Sequence, residues 1–129
     1  MCRPFQEGSR GFTFGEAAIA FTMTNRAADG YADVLGGSMS HDAFHVTSID
    51  PELTGVRSCV EQTLTMAGVD GRSIRYLNAH GPGTRQCDRA EATIAEQMVP
   101  NAEVFSVKPL AGHCQGAVGA VELAASLLG

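Results

Sequence analysis

At 129 residues, 44% of them apolar, the chain has the length of one domain and enough apolar side chain to build a core. A net charge of −5 leaves no basic stripe to neutralise phosphates, and the absence of Trp beside few other aromatics removes a stacking platform for bases, so nucleic acid is excluded as a partner. No apolar run approaches the ~18 residues that span a bilayer, and Met1-Cys2-Arg3-Pro4 lacks the apolar core of a signal peptide, so the expected setting is cytoplasmic, without membrane contact.

In chain order, Phe12-Thr13-Phe14 leads into the apolar run Ala17 to Met23, which predicts a buried strand. Ala27-Ala28-Asp29-Gly30 predicts a turn, with Asp-Gly as its signal, and Tyr31 to Met39 a second strand that pairs back as a hairpin. Ser40 to Pro51 has no period and reads as a loop. Pro51 through Gly68 predicts a helix. Leu53, Val56, Val60, Leu64 and Ala67 follow a spacing of three to four, Pro51 suits the first turn and Gly68 the C-terminal stop. A short strand over Ile74–Leu77, a helix over Asp88–Met98 with Ala90, Ile94 and Met98 on one face, and a strand over Val104–Val107 come next. A third helix over Gly112–Leu128 carries Gly116, Ala117, Gly119, Ala120, Ala124 and Ala125, and its small apolar surface predicts burial.

Alternation of this kind predicts an α/β fold with a largely parallel sheet covered by helices. Ligands of such sheets sit at the C-terminal ends of the strands. That edge receives His80, after the strand Ile74–Leu77, and Lys108 with His113, after the strand Val104–Val107. Two imidazoles that converge in Gly-rich surroundings can donate hydrogen bonds to a developing oxyanion. His113 at a helix N-terminus is disfavoured as imidazolium, and Lys108 presses the same way by like charge. Glu122 lies along the same segment as a partner for the lysine. Taken singly, each histidine is as well explained by helix or loop structure; the expectation of function rests on the pair.

Other features carry less. Gly81-Pro82-Gly83-Thr84 is not a phosphate loop of either Gly-rich type, although the Thr84 hydroxyl suits a ligand amide or phosphate. Asp88 and Glu91 read as first-turn helix acids, with a buried, paired Glu91 as the alternative. His41 and His45 have the spacing of a metal pair, but the segment is not helical and no third ligand is evident, so no metal is expected. None of the four cysteines sits in a C-x-x-C pair, and they read as free thiols. Cys114 next to His113 suggests a cysteine hydrolase only weakly, because successive helix residues point about 100° apart.

The pieces Arg3-Pro4-Phe5, Gly11-Phe12-Thr13-Phe14-Gly15-Glu16, Tyr31-Ala32-Asp33-Val34-Leu35-Gly36, Asp42-Ala43-Phe44-His45, Asn78 to Thr84, Lys108, Gly112-His113 and Gly116 to Glu122 occur in the order found in β-ketoacyl-acyl-carrier-protein synthases, and they cover nearly the whole chain. The sequence resembles that ketosynthase family. The run Gly83 to Arg89 is also similar to the discrete ketosynthases of aromatic polyketide systems. The resemblance implies a partial thiolase-like fold with a mixed sheet, in which residues 1–129 form a single partial domain made of the end of the first half and most of the second. It implies that His80 and His113 stabilise the enolate formed when a malonyl thioester loses CO2, that Lys108 and Glu122 are the charged pair behind them, and that Thr84 contacts the phosphopantetheine arm of an acyl carrier protein. No other cofactor is implied.

The family's nucleophilic cysteine lies in an Ala-Cys-Ser-type motif that this sequence lacks, and Pro82 stands where the family usually has Thr. The expectation is therefore the C-terminal portion of a ketosynthase that works in fatty-acid or polyketide biosynthesis. It would perform decarboxylative Claisen condensation with a Cys-bearing half supplied from elsewhere, in a homo- or hetero-oligomer. Without that half, one face of the third helix is expected to expose apolar surface. The alternative is an inactive ketosynthase-like module that binds the carrier protein or a ketosynthase partner. Arg57, Arg72, Arg85 and Arg89 are candidate contacts for an acidic carrier, and a solvated face is the alternative for each.

Overall fold

A computed structural model describes residues 2–25 and 30–129. The expected turn at Ala27-Ala28-Asp29 lies outside the described residues. Regular structure begins at helix α1 (Thr54–Ala67) and continues through strand β1 (Tyr76–Asn78), helix α2 (Arg85–Met98), strand β2 (Glu103–Phe105), the single-turn helix α3 (Lys108–Ala111) and helix α4 (Val118–Leu128). Two 3-10 turns, Gly71–Ser73 and Gln115–Ala117, precede β1 and α4.

Helix α1 starts three residues later than the Pro51 expected from sequence. Asp50 is the reason: its two carboxylate oxygens accept from the N–H groups of Glu52 and Thr54, which holds Pro51–Leu53 in a turn, with Leu53 in the left-handed region at φ 56°. The far end is the expected glycine stop. Gly68 sits at φ 66°, its N–H reaches the Thr65 carbonyl, and the Val69 N–H reaches the Leu64 carbonyl, a Schellman arrangement that satisfies two end-of-helix acceptors. Helix α2 starts three residues earlier than expected, at Arg85, with Thr84 as its N-terminal flank. Asp88 lies in the first turn and is buried, 8% exposed. Ile94, 5% exposed, anchors the inner face against Ala95 and Val99, a burial that contributes ~2 kcal/mol.

Strands β1 and β2 are parallel, with Tyr76 opposite Glu103, Leu77 opposite Val104 and Asn78 opposite Phe105, and α2 is the crossover between them. Both strands run to a common C-terminal edge. Their outer sides stay partly open, Tyr76 being 68% exposed.

The two N-terminal strands expected over Ala17–Met23 and Tyr31–Met39 do not form among the described residues. Neither stretch has a ladder partner among the described residues; Met23, Tyr31, Val34, Leu35 and Met39 all face water. A strand is defined by the neighbour that takes its N–H and C=O groups, and composition alone supplied only the apolar run. One local contact does form. Phe14 makes a parallel bridge to His113, in which the His113 N–H donates to the Thr13 carbonyl and the Gly15 N–H to the His113 carbonyl. Further upstream, the Gly11 N–H donates to the Gly83 carbonyl and the Cys2 thiol contacts the Pro82 carbonyl, so the N-terminal arm passes along the loop after β1.

The expected third helix over Gly112–Leu128 is broken in two. Gly112 adopts φ 73° and ψ 178°, a region open essentially to glycine alone, and Gln115 is left-handed at φ 50°, so helical geometry resumes only at Val118. Helix α4 is also not buried as expected. None of its residues is buried, and Leu123 and Leu128 are exposed. Its hold on the sheet is polar: the Asn78 side-chain amide donates to the Glu122 carbonyl and to the Ser126 hydroxyl.

Candidate active site

The loop after β1 and the bend after α3 meet at the C-terminal edge of the parallel pair. The rings of His80 and His113 lie edge-to-face with centroids 5.2 Å apart, and Phe12 packs on the other side of His113 at 4.7 Å. The two imidazoles singled out from sequence are therefore neighbours. Phe12 was not singled out. Its position follows from the Phe14–His113 bridge, a long-range contact with no local signal.

The proton on His113 is placed by the backbone. The Gln115 N–H donates to Nδ1 at 3.1 Å. A backbone N–H can only donate, so Nδ1 is the acceptor and the neutral ring carries its hydrogen on Nε2. The helix-dipole explanation expected for His113 does not apply, because α4 begins five residues further on. The left-handed turn at Gln115 instead brings its N–H onto Nδ1.

Lys108 is completely buried. Its ammonium donates to the His80 carbonyl at 2.5 Å and forms an ion pair with the Glu122 carboxylate, whose side chain retains 17% exposure. A buried ammonium demands such partners, since an unpaired charge there carries a large desolvation penalty. The expected lysine–glutamate pair is thus present, and the second contact of its ammonium reaches the main chain of His80. His80 itself keeps water contact, yet its imidazole is held below the ordinary pKa. Desolvation is the first cause and the Lys108 charge the second, opposed by the Glu122 carboxylate. The ring is neutral at physiological pH and available as an N–H donor.

Thr84 flanks α2 without capping it, and its hydroxyl oxygen is buried with no partner among the described residues. A buried hydroxyl without a partner is rare enough to need an explanation, and a ligand group is one.

Asp88, a first-turn acid as expected, and Glu91, paired as its alternative reading had it, organise the loop. Asp88 accepts from the N–H groups of Gly83 and Phe5, and Glu91 accepts from those of His80 (2.5 Å) and Gly81 (2.7 Å). Burial pushes the Glu91 carboxyl upward, and the two N–H donors oppose the shift. The available signal was the three-residue spacing of two acids on a helix that follows a Gly-rich loop; it places both on the face that looks back at that loop.

Cys114 is buried and its thiol points to the carbonyls of Ala111 and Gly112. The neighbouring His113 Nδ1 is already engaged by Gln115, so no base stands ready for this thiol. His41 and His45 each use Nδ1 to accept N–H groups of their own loop, and no group of three or more metal-type ligands occurs among the described residues. No helix there is long and apolar enough to cross a membrane.

The parallel pair with its crossover helix has the thiolase-like architecture of solved ketosynthases. A ketosynthase from Xenorhabdus doucetiae in complex with its chain length factor superposes with TM-score 0.69 at 35% identity over 74% of this chain and 24% of that one. A type II polyketide ketosynthase bound to its acyl-carrier protein superposes with TM-score 0.71 at 25% identity over 76% of this chain and 25% of that one.

The family model for the C-terminal domain of β-ketoacyl synthase matches residues 31–129, and the chain belongs to that family. It is 35% identical over 136 aligned positions to 3-oxoacyl-[acyl-carrier-protein] synthase 2 of Coxiella burnetii, covering 98% of this chain and 33% of that protein. It is equally similar to the tetracenomycin polyketide synthase ketoacyl synthase alpha subunit of Streptomyces glaucescens, covering 98% of this chain and 32% of that protein. The chain thus spans about a third of the length of the curated relatives it matches.

Proposed function

We propose that this chain carries the decarboxylation half of a ketosynthase site. It acts with a cysteine-bearing half in the decarboxylative Claisen condensation of fatty-acid or polyketide biosynthesis. The observation that supports this reading best is the edge-to-face meeting of His80 and His113 at 5.2 Å. His113 offers its Nε2 side, Nδ1 being taken by the Gln115 N–H, and desolvation with the Lys108 charge keeps His80 unprotonated.

When a malonyl thioester loses CO2, the bond to the carboxylate breaks and its electron pair moves into the thioester, leaving negative charge on the carbonyl oxygen. Two imidazole N–H groups aimed at that oxygen are worth more to the enolate than to the neutral thioester, which is the condition for catalysis. The enolate carbon then attacks an acyl thioester held on the cysteine of the other half, and that thiolate leaves. Lys108 holds the His80 main chain in place, and its charge outweighs the opposing Glu122 carboxylate in keeping the imidazole unprotonated.

Thr84, with its buried hydroxyl unpartnered, offers the hydrogen bond for an amide of the phosphopantetheine arm. No separate cofactor enters. The solved relatives supply the partner classes, an acyl carrier protein and a ketosynthase-like subunit. Arg85 and Arg89 on the outer face of α2 line an open groove with Ile49, Pro51 and Leu53, and they suit an acidic carrier.

The decisive experiment is release of CO2 from malonyl-carrier protein by the assembled ketosynthase. His80→Ala and His113→Ala are each expected to lower the rate by ~10²-fold or more, the scale of losing one oxyanion donor. An unchanged rate in either variant rejects the role of that ring. A second reading, a non-catalytic module that binds the carrier, draws on Pro82. That residue is fully buried with its carbonyl against the Cys2 thiol, and it supplies no hydroxyl. Carrier binding without any decarboxylation, with all partners present, selects this second reading.

A further inference from the structure

The main chain of His80 is gripped on both sides by charged side chains, the buried Lys108 and the half-buried Glu91. Its N–H is taken by one oxygen of Glu91 and its carbonyl by the Lys108 ammonium. The second Glu91 oxygen takes the next N–H, that of Gly81, which sits in the left-handed region at φ 43°. A positive φ at one residue turns successive N–H groups toward a common side, forming a concavity for an anion, and here the anion is supplied by the protein itself. With both peptide groups of His80 fixed, only its side-chain torsions remain to be set.

We propose that Glu91 is a positioning residue: by accepting from the N–H groups of His80 and Gly81 it holds the loop where the His80 ring meets His113. The consequence for turnover rests on the function proposed above; the positioning itself does not. Both carboxylate oxygens accept from main-chain donors, which ties Glu91 to the loop that carries His80. It acts through His80. Only a carboxylate fits this place. A glutamine of equal size turns one NH2 toward an N–H, donor against donor, and keeps a single bond. Asp88 makes the same kind of contact one turn earlier, but to Gly83 and Phe5, and so secures the far end of the loop.

The test uses Glu91→Gln in the full chain, with Glu96→Gln, exposed on the same helix, as its control. Proton NMR reads the ring-to-ring contact of His80 and His113 and the titration of His80. That titration is also faced by Lys108, Glu122, His113 and Asp88, none of which is altered. Glu91→Gln is expected to weaken the ring contact and to shift the His80 titration toward that of free imidazole. Malonyl decarboxylation is expected to lose ~10- to 100-fold in kcat with KM changed less than about threefold, the pattern of a misplaced rather than a missing group. Glu91→Asp should recover part of the loss, and Glu96→Gln should match the parent.

An unaltered ring contact and titration in a folded Glu91→Gln variant overturns the proposal. Hydrogen exchange in the parent protein needs no variant to fold. Slow exchange at His80 and Gly81 N–H is expected, and exchange at the rate of a solvated loop also overturns it. Full decarboxylation by His80→Ala, by contrast, rejects the catalytic reading while leaving the ring contact and the exchange result intact.

Discussion

Lys108 is the point at which the site and the stability of the fold coincide. Replacing it by Met keeps the stem and removes the ammonium. The Glu122 carboxylate, 17% exposed, is then left without its ion-pair partner, and the His80 carbonyl loses its charged donor. Breaking a fully buried pair on one side costs about 3–5 kcal/mol. The residual hydration of Glu122 places this case at the lower end, near ~3 kcal/mol. The double variant Lys108→Met/Glu122→Gln removes both charges together, and it should fall within ~1 kcal/mol of the parent, because no buried ion is orphaned. Urea unfolding with unchanged m-values measures all three variants and closes the cycle. Strict additivity of the two single changes, or a loss below ~1 kcal/mol for Lys108→Met, refutes the reasoning that the pair is held by mutual need.

Three further outcomes are expected. The acid limb of decarboxylation should lie below the ordinary imidazole value of ~6.5, since the lowered pKa of His80 keeps it neutral further down. Between the folded and unfolded values the unfolded chain binds more protons, so stability from this group is fully present above ~6.5 and is lost as pH falls through the folded value. A limb above that point in the pH–rate profile contradicts the assignment, and Lys108→Met should move the limb upward. Gly112→Ala should destabilise by ~2 kcal/mol or more, because the glycine-only backbone is strained by any side chain and a Cβ there comes within 2.9 Å of the Gly15 nitrogen and the Phe14 oxygen; thermal unfolding reads the loss. Thr84→Val should leave stability within ~0.5 kcal/mol, since it deletes a buried hydroxyl that has no partner, while raising KM for a carrier-bound thioester. A stability loss above ~1 kcal/mol would show that the hydroxyl has a structural partner.

What could be read from sequence divides along physical lines. The parallel pair, its shared edge and the arrival of His80, Lys108 and His113 there follow from alternating elements, and alternation is a local property. The Gly68 stop is equally local. The strands expected over 17–23 and 31–39 are a different matter. Apolar composition marks a segment that wants cover but does not name the neighbour that pairs with it. The third helix was mistaken at its start because the apolar run continues through Gly112 and Gln115, whose positive φ values leave no periodic mark and accompany the long-range Phe14–His113 bridge. Asp88 was legible as a first-turn acid and Glu91 as a candidate for pairing, but the main-chain groups they hold were not legible. A helix that begins at Arg85 instead of Asp88 turns their carboxylates from its own end toward the preceding loop.

The bridge that joins Phe14 to His113 links positions about a hundred residues apart. Closing so long a span costs chain entropy that only later contacts return, and contacts of that separation form late in folding. The parallel pair and its crossover helix involve far shorter separations and can assemble first. Such a sequence of events makes the imidazole at position 113 among the last groups to find its place. A nascent or partly opened chain would keep its secondary structure yet lack a completed reaction centre, so competence would track the seating of the N-terminal arm rather than helix content.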